Sequence, residues 1–139
     1  FLISKKDLNL NQIIESFIKS NKEPFIVQKY LSQITKGDKR IILVNGKPVG
    51  AISRVPKHNE IRSNIHVGGT AKKVLISKSD KAICNLIGPE LKKRKLFLVG
   101  IDIIGNYLTE INVTSPTCLR EIKQLSKIDI AKIIWKELD

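Results

Sequence analysis

Apolar and polar positions change period several times along the chain, and each change marks an element. Leu10, Ile13, Ile14, Phe17 and Ile18 recur at helical spacing, with Asp7, Asn9 and Asn11 as candidate caps and Asn21 and Pro24 closing the helix. That apolar face predicts core packing. Phe1 to Ile3 reads as the end of a strand, and Phe25 to Leu31 as a strand that turns polar at its end. Gly37 to Arg40 opens a further strand over Ile41 to Val44. Asn45-Gly46 predicts a type I′ hairpin turn, with Val49 to Val55 as the return strand. Pro56 to Lys72 has few apolar anchors and predicts a mobile lid loop. Ser77 to Asp80 predicts a capping-box helix start, with Asp in place of the usual Glu. Ile83, Leu86, Ile87 and Leu91 form that helix's apolar face, Cys84 falls within it as a buried small hydrophobe, and Gly88-Pro89 is expected to kink or split it. Ile130, Ile133, Ile134 and Leu138 predict a last helix capped by Asp129, with Trp135 packing beside its apolar face.

The segment from Leu96 to Arg120 organises the rest. Leu96 to Ile104 is an apolar run holding one acid, Asp102, and Gly105-Asn106 marks a turn. Tyr107 to Thr114 then alternates, with Leu108, Glu110, Asn112 and Thr114 on one face. A two-residue loop would set Asp102 opposite Thr109. A three-residue loop that includes Tyr107 sets Asp102 opposite Glu110, with Asn112 next on the same face, and is the expected register. Two carboxylates at cross-strand distance repel, and a hard cation between them relieves the repulsion. The residues alone also fit a solvated strand face with ordinary acids. Asn112 to Thr117 is dense in hydroxyls and leads into a helix start near Leu119, a setting that suits an anion. Arg40 and Arg54, at the start of one strand and the end of its neighbour, could lie close together, either as a grip on phosphate or as plain surface charge.

The alternation of helices with antiparallel hairpins predicts an α+β fold, and 139 residues make one domain at most. No apolar run approaches the length of a membrane span. No secretory leader is visible and the cysteines are few, so a reducing cytoplasm is expected. Cys84, Cys118, His58 and His66 match no metal or triad spacing. The net charge of +12 suggests a phosphate-rich partner. The lysines are scattered, however, and the densest basic run, Lys92 to Lys95, lies at a helix end where it suits the dipole. Aromatic residues are 5% of the chain and do not interleave with a basic stripe, so a nucleic-acid module is the weaker reading.

The string GIDIIG followed by LTEINVTSPTCLREI closely resembles the metal- and product-binding segment of prokaryotic-type glutathione synthetases, which are ATP-grasp ligases. VQKYL, KGDKRIILVNGKPV, ISRVP, the Glu60-x-Arg62-x-Asn64 loop with Gly68-Gly69, and IGPELK extend the resemblance over nearly the whole chain. The resemblance implies the C-terminal portion of an ATP-grasp domain, residues 1–139, with a mostly antiparallel sheet, flanking helices and a lid over 56–72. It implies ATP- and Mg²⁺- or Mn²⁺-dependent joining of γ-glutamylcysteine to glycine through an acyl phosphate. It makes Asp102, Glu110 and Asn112 the metal ligands. Arg40, Arg54 and Arg62 become the cations at the reacting phosphate. Gln28, Lys29, Tyr30 and Leu31 become the adenine hinge, Asp38 the ribose contact, and Asn64 a further nucleotide contact in the lid. Ser115, Pro116 and Thr117 become the peptide-binding segment. Ser63 and Thr70 depart from the family's loop. The resemblance also implies a homo-oligomer, with no nucleic-acid or membrane partner. An N-terminal part of the same protein is expected to carry further phosphate-binding lysines, so 139 residues alone are expected to be inactive. Another ATP-grasp carboxylate–amine ligase is the alternative.

Overall fold

A computed structural model describes residues 3–4, 6–57 and 68–138. The chain divides into two compact units, 1–31 and 32–139. In the first unit, helix α1 spans Leu10–Ser20, and the Asn21 N–H closes it on the Phe17 carbonyl. Phe17 meets Phe25 with ring centroids 5.7 Å apart. No residue of α1 is buried, which corrects the expected core role: a short unit with one helix has too little apolar surface to cover it. Phe25 to Leu31 is also not a strand, since it has no ladder partner among the described residues. Phe1 and Leu2 lie outside the described residues.

The second unit is a five-stranded sheet in the order β3-β2-β1-β4-β5. Its strands are β1 (Asp38–Val44), β2 (Lys47–Val55), β3 (Thr70–Lys73), β4 (Leu98–Ile104) and β5 (Tyr107–Asn112). Every neighbouring pair is antiparallel. Strand β3 begins inside the segment read as a loop and ends one residue beyond it; its short polar stretch carries no alternation and gains its place by pairing with β2. Helix α2 (Lys78–Lys93) covers one face, where Cys84 and Leu91 pack on Ile41, Leu43, Ala51, Val99, Ile101 and Ile103. Helices α3 (Leu119–Ser126) and α4 (Ile130–Leu138) cover the other, where Ile122 and Ile130 pack on Ile42, Val44 and Ile52. Strand β1 is therefore buried on both sides, which explains its unbroken apolar run.

Both hairpins turn on two residues and carry a bulge in the return strand. Asn45 (φ 50°) and Gly46 (φ 76°) supply the positive angles that a type I′ turn requires. Val44 then faces Lys47 and Leu43 faces Pro48, but Ile42 faces Gly50, so Val49 is the extra residue. In the second hairpin Ile104 faces Tyr107 and Ile103 faces Leu108, but Asp102 faces Glu110, so Thr109 is the extra residue. The expected pairing of Asp102 with Glu110 is present, but the three-residue loop is not; the bulge produces the register. It also moves Leu108 off the face of Glu110, where alternation had placed it. Leu108 packs instead against the α2-side core, and the Thr109 hydroxyl donates to the Asp102 carbonyl at 3.1 Å.

Helix α2 begins with the expected reciprocal cap: the Asp80 N–H donates to Ser77 Oγ at 3.2 Å and the Ser77 N–H to Asp80 Oδ2 at 2.7 Å. Lys39, on the α2 face of β1, forms an ion pair with the same Asp80 carboxylate. Burial pushes that carboxyl up, but the bonds from Lys39 and Ser77 outweigh it and hold it below the ordinary value. Burial, reinforced by the charge of Asp80, pushes the Cys84 thiol up to about 11. The helix is not split at Gly88-Pro89, because Pro89 removes a single backbone donor while packing on the sheet holds both sides. Leu86 is 80% exposed and Trp135 68%, against expectation; each falls outside the stripe of its helix that meets the sheet. Gly88 lies against the Asn45-Gly46 turn, so that a Cβ there would fall on the Gly46 carbonyl oxygen. Gly88→Ala is expected to destabilise the domain by about 1–3 kcal/mol, read as a lower urea midpoint with an unchanged slope. An unchanged midpoint would mean that the turn yields freely.

Candidate active site

The sheet's pleat gathers charge at one end of the α3/α4 face. Along β1, Asp38 and Arg40 share the side of Ile42, and along β2 Arg54 shares the side of Ile52. The pairing sets Asp38 opposite Arg54, Arg40 opposite Asp102, and Asp102 opposite Glu110. Four charged side chains thus meet on three adjacent strands, and all four are buried.

They form one connected array. Arg40 donates from Nε to Asp102 Oδ1 at 2.5 Å and from Nη2 to Oδ2 at 2.7 Å. Arg54 donates from Nε to Asp38 Oδ1 at 2.9 Å, and its Nη2 pairs with both Asp38 Oδ2 and, at 2.8 Å, Asp102 Oδ2. Two arginines balance two aspartates, the arrangement that buried charge requires. Burial pushes the Asp102 carboxyl up, but the hydrogen bond from Arg40 and the charges of Arg54 and Arg40 outweigh it and hold it below the ordinary aspartate value. Burial likewise opposes the charge on Arg54, yet the bond to Asp38 and the charge of Asp102 raise its pKa above the usual one.

The segment after β5 closes over this array. Arg40 Nη1 donates to Thr117 Oγ1 at 3.2 Å. Gly100 lets Pro116 lie across β4: a Cβ there would sit 2.8 Å from Pro116 Cβ and 3.3 Å from Arg40 Cδ. Cys118, left-handed at φ 81° and buried, then turns the chain into α3. Glu110 is exposed beside Asp102, and Asn112 Nδ2 lies 3.5 Å from Glu110 Oε2.

Among the expected site residues, Asp38, Arg40, Arg54, Asp102 and Thr117 are thus joined by direct bonds. Glu110 and Asn112 share their face, and Ser115 and Pro116 belong to the covering segment. Gln28, Lys29, Tyr30 and Leu31 end the first unit, the first three of them exposed. Arg62 and Asn64 lie outside the described residues, as do 58–67 of the expected lid. The bond between Asp38 and Arg54 was not anticipated. Its only signal in the sequence is an acid and an arginine flanking a hairpin, and the bulge at Val49 decides that they pair.

The donors fit a divalent cation. Among the described residues no group of three or more His, Cys, Asp or Glu forms a metal cluster. The set is two carboxylates and an amide oxygen, hard ligands of the kind Mg²⁺ takes when substrate phosphates fill its remaining positions. Asp102 Oδ1 accepts a single bond among the described residues, from Arg40 Nε, so one of its lone pairs is left over.

A profile described as prokaryotic glutathione synthetase, ATP-grasp domain, matches residues 1–127. The chain is 50% identical over 139 residues to a glutathione synthetase of Mesorhizobium japonicum, an alignment that covers 100% of this chain and 44% of that protein. It is 48% identical to the glutathione synthetase of Brucella melitensis, over 100% of this chain and 45% of that protein. It is 46% identical to that of Buchnera aphidicola over 135 residues, 96% of this chain and 42% of that protein. The sheet, its flanking helices and this match define part of an ATP-grasp domain. The chain belongs to the prokaryotic glutathione synthetase family. It spans less than half the length of these curated relatives. No helix among the described residues is long and apolar enough to cross a membrane.

Proposed function

We propose that the complete protein containing this chain is a glutathione synthetase, joining γ-glutamylcysteine to glycine with ATP. The observation that carries the reading is the family match over 127 of 139 residues, together with the buried arginine–aspartate array that the match covers. In this reading the γ-phosphoryl group of ATP passes to the substrate carboxylate, the glycine amine attacks the acyl phosphate, and inorganic phosphate leaves. Such chemistry depends on positioning and charge neutralisation more than on a protein nucleophile. Arg40 and Arg54 are permanently charged, and their planar guanidinium groups suit the phosphate oxygens as charge shifts. Asp102, Glu110 and Asn112 would hold Mg²⁺ or Mn²⁺, which when bound supplies the positive charge that draws the ATP phosphates in. Ser115, Pro116 and Thr117 would seat the peptide beside Arg40. Gln28, Lys29, Tyr30 and Leu31 would hold the adenine, and Arg62 and Asn64 would come from the loop over the phosphates. A homo-oligomer working in the cytoplasm completes the reading.

The test is phosphate release from ATP by the complete protein. Release is expected only with both γ-glutamylcysteine and glycine present. Release driven by D-alanine or glutamate instead would assign the chain to another carboxylate–amine ligase.

A further inference from the structure

Asp38 has a partner in the buried array that the family resemblance did not imply. Both of its oxygens accept from Arg54, Oδ1 from Nε and Oδ2 from Nη2, and the residue is only 7% exposed. The two are direct cross-strand partners, so the backbone pairing itself holds the carboxylate against the guanidinium edge. We propose that Asp38 is the positioning residue for Arg54, fixing the plane of its guanidinium toward Asp102. This rests on the proposed role of Arg54 at the reacting phosphate.

The arrangement has a reason in the charges. Arg40 is held by Asp102 alone among carboxylates of the described residues, through both of its oxygens. Arg54 also touches Asp102, through Nη2. Asp38 adds a bidentate grip on Arg54 from a second carboxylate. Arg54 therefore has its guanidinium plane fixed by two acids, whereas Arg40 has one acid and the Thr117 hydroxyl. A bidentate carboxylate is needed for this, since a single contact leaves the guanidinium free to rotate.

Steady-state kinetics of the complete protein with ATP and 2′-deoxy-ATP test the assignment. Asp38→Asn is expected to lower kcat by the same factor as Arg54→Gln, on the order of 10²-fold. The KM for ATP and the preference for ATP over 2′-deoxy-ATP should hardly move, and the double substitution should fall no further than either single one. A raised KM for ATP with kcat kept and the preference for ATP lost would overturn the proposal in favour of a ribose contact. If Asp38→Asn alone does not fold, the double substitution leaves no unpaired charge and is compared with Arg54→Gln. Equal kcat supports positioning, and a further loss overturns it. Full activity in Arg54→Gln would instead overturn the underlying role of the arginine at the phosphate, and this proposal with it.

Discussion

Glu110→Gln in the complete protein is expected to lower metal-dependent phosphate release about 10²-fold while leaving the fold intact. The substitution removes one negative charge at nearly constant shape. Glu110 is exposed on β5, and among the described residues its hydrogen bond is the long one from Asn112 at 3.5 Å. Folding therefore loses little, within about 0.5 kcal/mol as for ordinary surface changes. The proposed metal set would lose one of its two carboxylates. Titration of Mn²⁺ with nucleotide present should show weaker binding in step with the lost rate, and the urea midpoint should stay in place. Activity near that of the unaltered protein would mean that the acids facing each other across β4 and β5 hold no cation.

Asp102→Asn is expected to act on both properties. This carboxylate is 3% exposed and, among the described residues, makes three contacts to two guanidinium groups. Asparagine fills the space but leaves the buried Arg40 without a carboxylate partner among the described residues, while Arg54 keeps Asp38. Breaking one side of a buried ion pair costs about 3–5 kcal/mol, far more than the loss of Glu110. The pH dependence identifies the source. The folded state holds the Asp102 carboxyl below its ordinary value, so the charge stabilises the fold fully above the unfolded pKa, about 3.9. The contribution is lost as pH falls through the lower, folded value. The stability gap between the unaltered protein and Asp102→Asn should thus be level near neutrality and close on acidification below about pH 4. A gap that persists unchanged into that range would show that packing, not charge, makes the difference.

Element type was legible in the sequence wherever periodicity was strong. The Ile41 to Val44 run, the Asn45-Gly46 turn, the Ser77–Asp80 cap and the two closing helices all appear as read. Each depends on contacts within a few residues, and such contacts leave a local pattern. The readings that failed depend on distant partners. The Phe25 to Leu31 segment has strand-like residues but no neighbour to pair with among the described residues. Thr70 to Lys73 has no strand-like pattern, yet pairs with β2. Leu86 and Trp135 are apolar but lie off the packed stripes of their helices.

For the candidate site the same division holds. The residue types and their order along the chain were in the sequence: two arginines, three acids and an asparagine on the strands, followed by a hydroxyl-rich turn. That content was sufficient for the family resemblance, which the comparisons bear out. What the tertiary structure decided is register. With two-residue turns and no bulges, Asp38 would face Ser53 and Asp102 would face Thr109, and both sets of partners would point to the wrong side of the sheet. One extra residue at Val49 and one at Thr109 bring Arg54 opposite Asp38 and Glu110 opposite Asp102. A bulge is selected by how side chains on both faces pack at once: Leu108 goes to the α2 side while Glu110 stays with the charges. That choice belongs to the packed sheet, since no short stretch of sequence contains both of the faces it must satisfy.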